Sequence, residues 1–155
     1  MIIAGTGHRP KFCPCKYNEK HPWLIELREK LFNSLIEFGA ESVIFGCALG
    51  WDTWLAQEAL RVGIPIHAYV PFEGQGSNWF SSSKKIYEDL LNKSESVLIL
   101  SKEYSNEAFF KRDQAMVDDA DHIFSLLNPE ADSGGTYYTV QYAKSKNKPI
   151  TNFWF

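Results

Sequence analysis

The chain has 155 residues, 45% of them hydrophobic and 15% aromatic, which suits one domain with a real core (residues 1–155) and excludes a disordered chain. Its net charge of −3, with no basic block, argues against nucleic acid as the main partner. No apolar run approaches the roughly 20 residues of a membrane span, and Met1-Ile2-Ile3-Ala4-Gly5 is too short for a signal peptide, so no membrane partner and a cytoplasmic location are expected.

Met1 to Ala4 reads as a short buried strand ended by a glycine turn, Gly5-Thr6-Gly7-His8-Arg9-Pro10. Pro22 suits the first turn of a helix, and Leu24, Leu27, Leu31, Leu35 and Phe38 recur at three- and four-residue steps along one face until Gly39. Ser42 to Phe45 is the second strand, broken by Gly46-Cys47-Ala48-Leu49-Gly50-Trp51-Asp52. A helix carrying Leu55, Ala56, Ala59 and Leu60 inward follows and ends at Gly63. Ile66 to Val70 is the third strand, with a polar, glycine-rich loop after it and a helix near Ser81 to Asn92. Ser96 to Leu100 is the fourth strand, and the next helix spans about Asn106 to Ala120. A fifth strand near His122 to Leu127 leads into Asp132-Ser133-Gly134-Gly135-Thr136 and a last helix, and Ile150 to Trp154 closes the chain as a sixth strand. Strand and helix alternate throughout, which implies an α/β fold of three layers: a mainly parallel sheet of about six strands with helices on both faces.

Open α/β sheets bind ligands at the carboxyl ends of their strands, and this chain collects its unusual residues there. Gly5, Thr6, Gly7, His8 and Arg9 follow the first strand, and Gly46, Gly50 and Asp52 the second. Glu73 and Gln75 follow the third strand, Tyr104 the fourth, and Asn128 with Ser133, Gly134, Gly135 and Thr136 the fifth. A helix start after two glycines presents unpaired N–H groups and partial positive charge, so phosphate is its natural guest; a tight turn needing glycine is the bland alternative. Gly5-Thr6-Gly7 can cradle phosphate or ribose, and Arg9 offers a forked pair of donors. His8 reads as a base or donor, or as a loop histidine satisfied by nearby backbone. Asp52 fits a helix cap and a ribose-hydroxyl acceptor equally. Trp51, Trp54 and Trp79 lie beside these loops, as stacking partners for a base or as packing. Position 10 is Pro, so the first turn is not the dinucleotide fingerprint, and no Gly-Lys-Ser/Thr of a P-loop occurs. Cys13, Cys15 and Cys47 form no disulfide framework, and Cys13-Pro14-Cys15 with His8 or His21 lacks the spacing of a common zinc module; neither metal nor cofactor is assigned.

Four segments carry a family likeness: Thr-Gly-His-Arg-Pro from Thr6, Gly-Cys-Ala-Leu-Gly-Trp-Asp from Gly46, Pro-Phe-Glu-Gly-Gln from Pro71, and the run from Arg112 to Asp121 paired with Ser133-Gly134-Gly135-Thr136. In this order they resemble the SMF/DprA–LOG (SLOG) superfamily of Rossmann-like nucleotide-binding domains, and within it the small stand-alone YspA/YpsA-like branch of bacteria and their phages. LOG-type phosphoribohydrolases of that superfamily carry R-K-x-x-M and P-G-G-x-G-T-x-x-E, whose arginine and glutamate do the chemistry. Arg112 and Met116 match the first signature. In the second, Ser133 replaces the proline, two residues are missing between Gly135 and Thr136, and Thr139 stands where the glutamate falls. The resemblance therefore implies a binding module for a nucleotide or an ADP-ribose-like molecule, which senses or sequesters it. The enzyme alternative is a phosphoribohydrolase or N-glycosidase using Arg112 with Glu73 or a bound water; Thr139 weighs against it because a hydroxyl does not replace a carboxylate. A second alternative is a DNA- or protein-associated accessory factor, as DprA-like relatives bind single-stranded DNA. A homodimer is expected from the LOG-like relatives.

Overall fold

Short apolar runs build a six-stranded sheet in which all neighbours run parallel, as a computed structural model describing all 155 residues shows. Its strands are β1 (Ile2–Gly7), β2 (Ser42–Phe45), β3 (Ile66–Val70), β4 (Ser96–Ile99), β5 (His122–Leu126) and β6 (Ile150–Asn152), in the order β4-β3-β2-β1-β5-β6. The helices between them are α1 (Pro22–Glu37), α2 (Trp51–Val62), α3 (Ser81–Lys93), α4 (Asn106–Asp119) and α5 (Gly135–Ser145), with a short 3-10 turn at Pro10–Phe12. This is an α/β, Rossmann-like fold.

Successive strand residues point to opposite faces and so sort the core into two layers. Ile3, Val43, Phe45, Ile66, Ala68 and Phe124 meet Leu24, Leu27, Leu31 and Leu35 of α1, Leu55 and Ala59 of α2 and Leu90 of α3. Ala4, Ile44 and Ile123 meet Met116, Val117 and Ala120 at the end of α4, together with Ala143 of α5. The four leucines of α1 are fully buried, each contributing about 1.5–3 kcal/mol relative to an exposed position. His21 starts that helix: its Nδ1 accepts the Trp23 N–H at 3.1 Å, and Pro22 follows at the position where a missing N–H costs nothing. From β4 the chain crosses the other face of the sheet through α4 and returns beside β1. The strand order reverses between β1 and β5, which opens a crevice at their carboxyl ends.

One element departs from the sequence reading. β1 does not end at Ala4 but continues through Gly7, with Thr6 opposite Ser125 and Gly7 opposite Leu126. Gly5-Thr6-Gly7 is thus strand, not turn. The reason is close packing of α2. A Cβ on Gly5 would strike Leu55 Cδ2, and one on Gly7 would lie 2.6 Å from Trp51 Cδ1. Trp51 is fully buried there and its indole N–H donates to the Phe124 carbonyl at 3.0 Å. Trp51 and Trp54 are packing residues, and Trp79 leans on Tyr87 at 5.2 Å between rings. Elsewhere the differences are at element ends: β4 stops at Ile99, β6 at Asn152 and α4 at Asp119.

Candidate functional site

The crevice holds a cavity of about 710 Å³, within the usual range for small-molecule sites. The end of β1 and the residues after it supply Gly5, Thr6, Gly7, His8 and Arg9; α2 supplies Asp52; α4 supplies Arg112, Asp113 and Met116; and the β5–α5 loop supplies Asn128 and Glu130 to Thr136. Twelve of the sixteen residues expected from sequence therefore line one space: Gly5, Thr6, Gly7, His8, Arg9, Asp52, Arg112, Asn128, Ser133, Gly134, Gly135 and Thr136.

The other four do not. Gly46 lies beneath the floor, where its carbonyl accepts Arg112 Nη1; a Cβ there would sit 2.9 Å from both that nitrogen and Asp52 Oδ2. Gly50, at φ 88°, caps α2 so closely that a Cβ would meet the His8 carbonyl at 2.6 Å. Gln75 Nε2 donates to the Cys47 carbonyl at 2.9 Å, and Glu73 is exposed, its N–H donating to the Ser101 carbonyl at 3.1 Å. Both follow β3, and β2 separates β3 from the crevice strand β1. Glu73 contributes no carboxylate to the cavity wall.

The floor is an ionic cluster. The Arg112 side chain is nearly buried, Nε donating to Asp113 Oδ1 at 2.6 Å. Burial works to lower the Arg112 pKa, but the charges of Asp113 and Asp52 outweigh it and hold the guanidinium charged, above its usual value. Asp52 Oδ2 accepts the Ala48 N–H at 3.1 Å. Burial pushes the Asp52 carboxyl up to about 6, against the opposing pull of Arg112 and that N–H. Arg112 is consequently a strut between α4, β2 and α2, not a free hand for a ligand.

Asp113 is the residue the sequence reading passed over. It stands where the hydrolase signature has lysine, and it lines the cavity beside Arg112. Thr139, buried on α5, has its hydroxyl 3.1 Å from Asp113 Oδ2 and 2.8 Å from the Gly135 carbonyl, so a single proton serves two acceptors. The available signal was Asp113 itself, a carboxylate next to the matched arginine on a helix facing the crevice.

His8 Nε2 accepts the Asn128 N–H at 2.9 Å, and burial lowers the ring's pKa. A backbone N–H only donates, so the neutral ring carries its proton on Nδ1. His8 braces the β5–α5 loop instead of offering a base. Asn128 folds the same loop, its Oδ1 accepting the Glu130 N–H at 3.0 Å. At the loop's far end Gly134, at φ 100°, caps α5 with no side-chain acceptor. The first bond of that helix is Tyr138 N–H to the Gly134 carbonyl, which leaves the N–H groups of Gly135, Thr136 and Tyr137 without helical partners. A Cβ on Gly134 or Gly135 would meet nothing within 4 Å, so packing demands neither glycine. Arg9, Lys11 and Phe12 are exposed at the rim.

Cys13 and Cys15 lie apart from this chemistry, whereas Cys47 is near enough to Asp52 and Arg112 to feel their charges. Cys13 and Cys15 are buried in the α1 layer, and Cys13 donates weakly to the Arg9 carbonyl at 3.5 Å. Burial, with Cys15 nearby, pushes the Cys13 thiol up to about 12. Cys47 is likewise buried, and burial raises its pKa. Asp118 and Asp119 accept from the hydroxyls of Tyr142 and Tyr69, and Asp121 accepts the Ile2 N–H. No helix is long and apolar enough to cross a membrane.

Comparison with known proteins adds a family. The profile of the YspA SLOG family (YpsA) matches residues 3–154. A UPF0398 protein of Bacillus cereus strain ATCC 14579 is 27% identical over 162 residues, covering 98% of this chain and 86% of its own length. A UPF0398 protein of Bacillus pumilus is 26% identical, with 96% and 85% covered. Among solved structures, DNA processing protein A of Streptococcus pneumoniae superposes with a TM-score of 0.67 at 16% identity, over 97% of this chain and 49% of that one. DNA processing protein A of Helicobacter pylori, described by its single-stranded DNA binding mode, gives 0.64 at 16% identity, over 98% and 64%. At such identities the two structures share the fold.

Proposed function

Because this chain belongs to the YspA SLOG family, we propose that its crevice binds a nucleotide or ADP-ribose-like molecule, as a sensing or sequestering module with one phosphate at the start of α5. The observation that carries this reading is the uncapped helix start. Three N–H groups without helical partners head α5, whose first residues line the cavity, behind a glycine whose side-chain space is empty. Binding rather than hydrolysis is supported by the state of the carboxylates. Asp52 and Asp113 are engaged in the floor, Glu130 and Asp132 stand on the exposed loop, and Glu73 is outside the wall.

The test is a thermal-shift screen over nucleoside monophosphates and ADP-ribose. A ligand at a hundred times its Kd stabilises by about 2.7 kcal/mol, and at least one is expected to raise Tm visibly. Gly135→Asp, which adds negative charge where nothing crowds it, is expected to abolish that rise while leaving the unliganded Tm nearly unchanged. No shift with any of these ligands, or an undiminished shift in the variant, overturns the reading. A base-release assay on each hit separates module from phosphoribohydrolase, and no release above the uncatalysed rate is expected.

A second reading has its own support. Arg9, Lys11 and Phe12 form a basic and aromatic rim, the pairing that suits single-stranded nucleic acid, and a structural neighbour is described by that activity. Oligonucleotide anisotropy at low and high salt tests it. Salt-sensitive binding lost in Lys11→Glu would favour it over the small molecule.

A further inference from the structure

We propose that β4 is a dimer seam, on which a second copy of this chain adds its own β4 antiparallel to give a continuous twelve-stranded sheet. β4 is the last strand on its side of the sheet. Its register sets Val97 opposite Ala68 and Ile99 opposite Val70, so both rise on the face of α1, α2 and α3, while Leu98, opposite Tyr69, rises on the other. Yet Val97, Leu98 and Ile99 are 45%, 45% and 46% exposed, so neither helical layer covers the strand. Edge strands of monomers are ordinarily blunted by lysine, proline or a bulge. Here Ser96-Val97-Leu98-Ile99-Leu100-Ser101 holds no charge and no proline, and β3–β4 pairing is regular along its length.

The strand's own pattern selects a second copy as the occupant. A two-fold contact uses one patch twice, so the patch must complement itself. A two-fold axis perpendicular to the sheet keeps each face, so residues facing each other across it are the same residue or an even number apart. Centred on Leu98, that rule sets Leu98 against its copy and Val97 against Ile99 twice, apolar against apolar on both faces. It also sets Glu95 against Ser101, beside Lys102 of the second copy, so opposite charges meet at both ends of the seam. β2 and β3 lie between this edge and β1, so both crevices stay open. The proposal stands whether or not the crevice binds a nucleotide.

Sedimentation equilibrium across the micromolar range tests it. The expected mass at high concentration is twice the 17.8 kDa of one chain. Leu98→Lys and Leu98→Glu, which change a half-exposed side chain, should each give folded monomers with like charges facing across the axis, and an equimolar mixture of the two should recover dimers. Wild-type chains that stay monomeric, a Leu98→Lys protein that stays dimeric, or a mixture that fails to associate would each overturn the proposal. Hydrogen exchange on the wild type keeps the test independent of the variants: the amides of Ser96 and Leu98, which point away from β3, should slow as concentration rises, and unchanged rates there overturn it.

Discussion

Arg112 shows how one side chain can belong to a binding cavity and yet serve the framework. Its guanidinium reaches Gly46 on one side and Asp113 on the other, with Asp52 near. Removing it would leave the buried Asp52 without its nearest positive charge, an omission that typically costs about 3–5 kcal/mol. Arg112→Ala is therefore expected to lower Tm by on the order of 10 °C without ligand present. A calorimetric scan that finds a normal Tm would return Arg112 to the role of a free ligand contact. Asp52 makes the cluster pH-sensitive. Its folded pKa of about 6 exceeds the ordinary 3.8, so the folded state keeps a proton that the unfolded chain gives up between those values. Its contribution to stability is present below pH 4 and lost as pH rises through 6. His8 runs the other way: its lowered pKa makes protonation below its ordinary 6.5 favour unfolding. The difference between wild type and Asp52→Asn isolates the carboxyl. Urea midpoints should show the wild type gaining on the variant between pH 6 and pH 4, and a constant difference would mean that Asp52 titrates normally.

At the scale of elements, the leucine face of α1 and the strand–helix alternation were legible because both are local: a helix face repeats with period 3.6, and a buried strand is a short apolar run between turn residues. The glycines of β1 were not. A turn and a crowded strand both call for glycine, and what distinguishes them here is the contact with Trp51 and Leu55, distant in sequence. The same distance hid the place of Glu73: alternation tells which strands exist, whereas the strand order that sets β3 two places from β1 is a property of the assembled sheet. The Gly134-Gly135-Thr136 helix start was readable since a glycine pair before a helix is a local event, and α5 begins at Gly135. Packing of α2 on β1 yields a sharp expectation. In Gly7→Ala the new methyl falls within the Trp51 side chain, and overpacking of that kind costs about 1–3 kcal/mol. Denaturant titration should show that loss, and the loss should persist when Trp51→Phe is added, because phenylalanine keeps the Cβ and Cγ that the methyl meets; an unchanged midpoint in Gly7→Ala would deny the contact its importance.

In the whole molecule the crevice and the β4 edge lie on different strands of one sheet, with β2 and β3 between them. The arrangement divides tasks: the switch point between β1 and β5 concentrates polar residues where the chain reverses direction, and the far edge presents an uncharged strand to solution. If the seam forms, ligand affinity per chain should be the same in the dimer and in the Leu98→Lys monomer, because no crevice residue lies on β4. Titration calorimetry on both proteins checks this, and a large difference in affinity would show that the seam reaches the site.

The embrace of β1 by α2 also has a history to make. A side chain at Gly7 meets the Cβ and Cγ of residue 51, atoms that a smaller aromatic keeps, whereas one at Gly5 meets the tip of Leu55, which a smaller residue there lacks. That second pair is ordered in lineage: a descendant reaches alanine at 5 at least cost after the leucine has shrunk, so one order of substitutions is favoured even though both endpoints can fold. Ancestral reconstruction among relatives that vary at both positions should find the smaller residue at 55 arriving first, and the glycine at 5 released only afterwards.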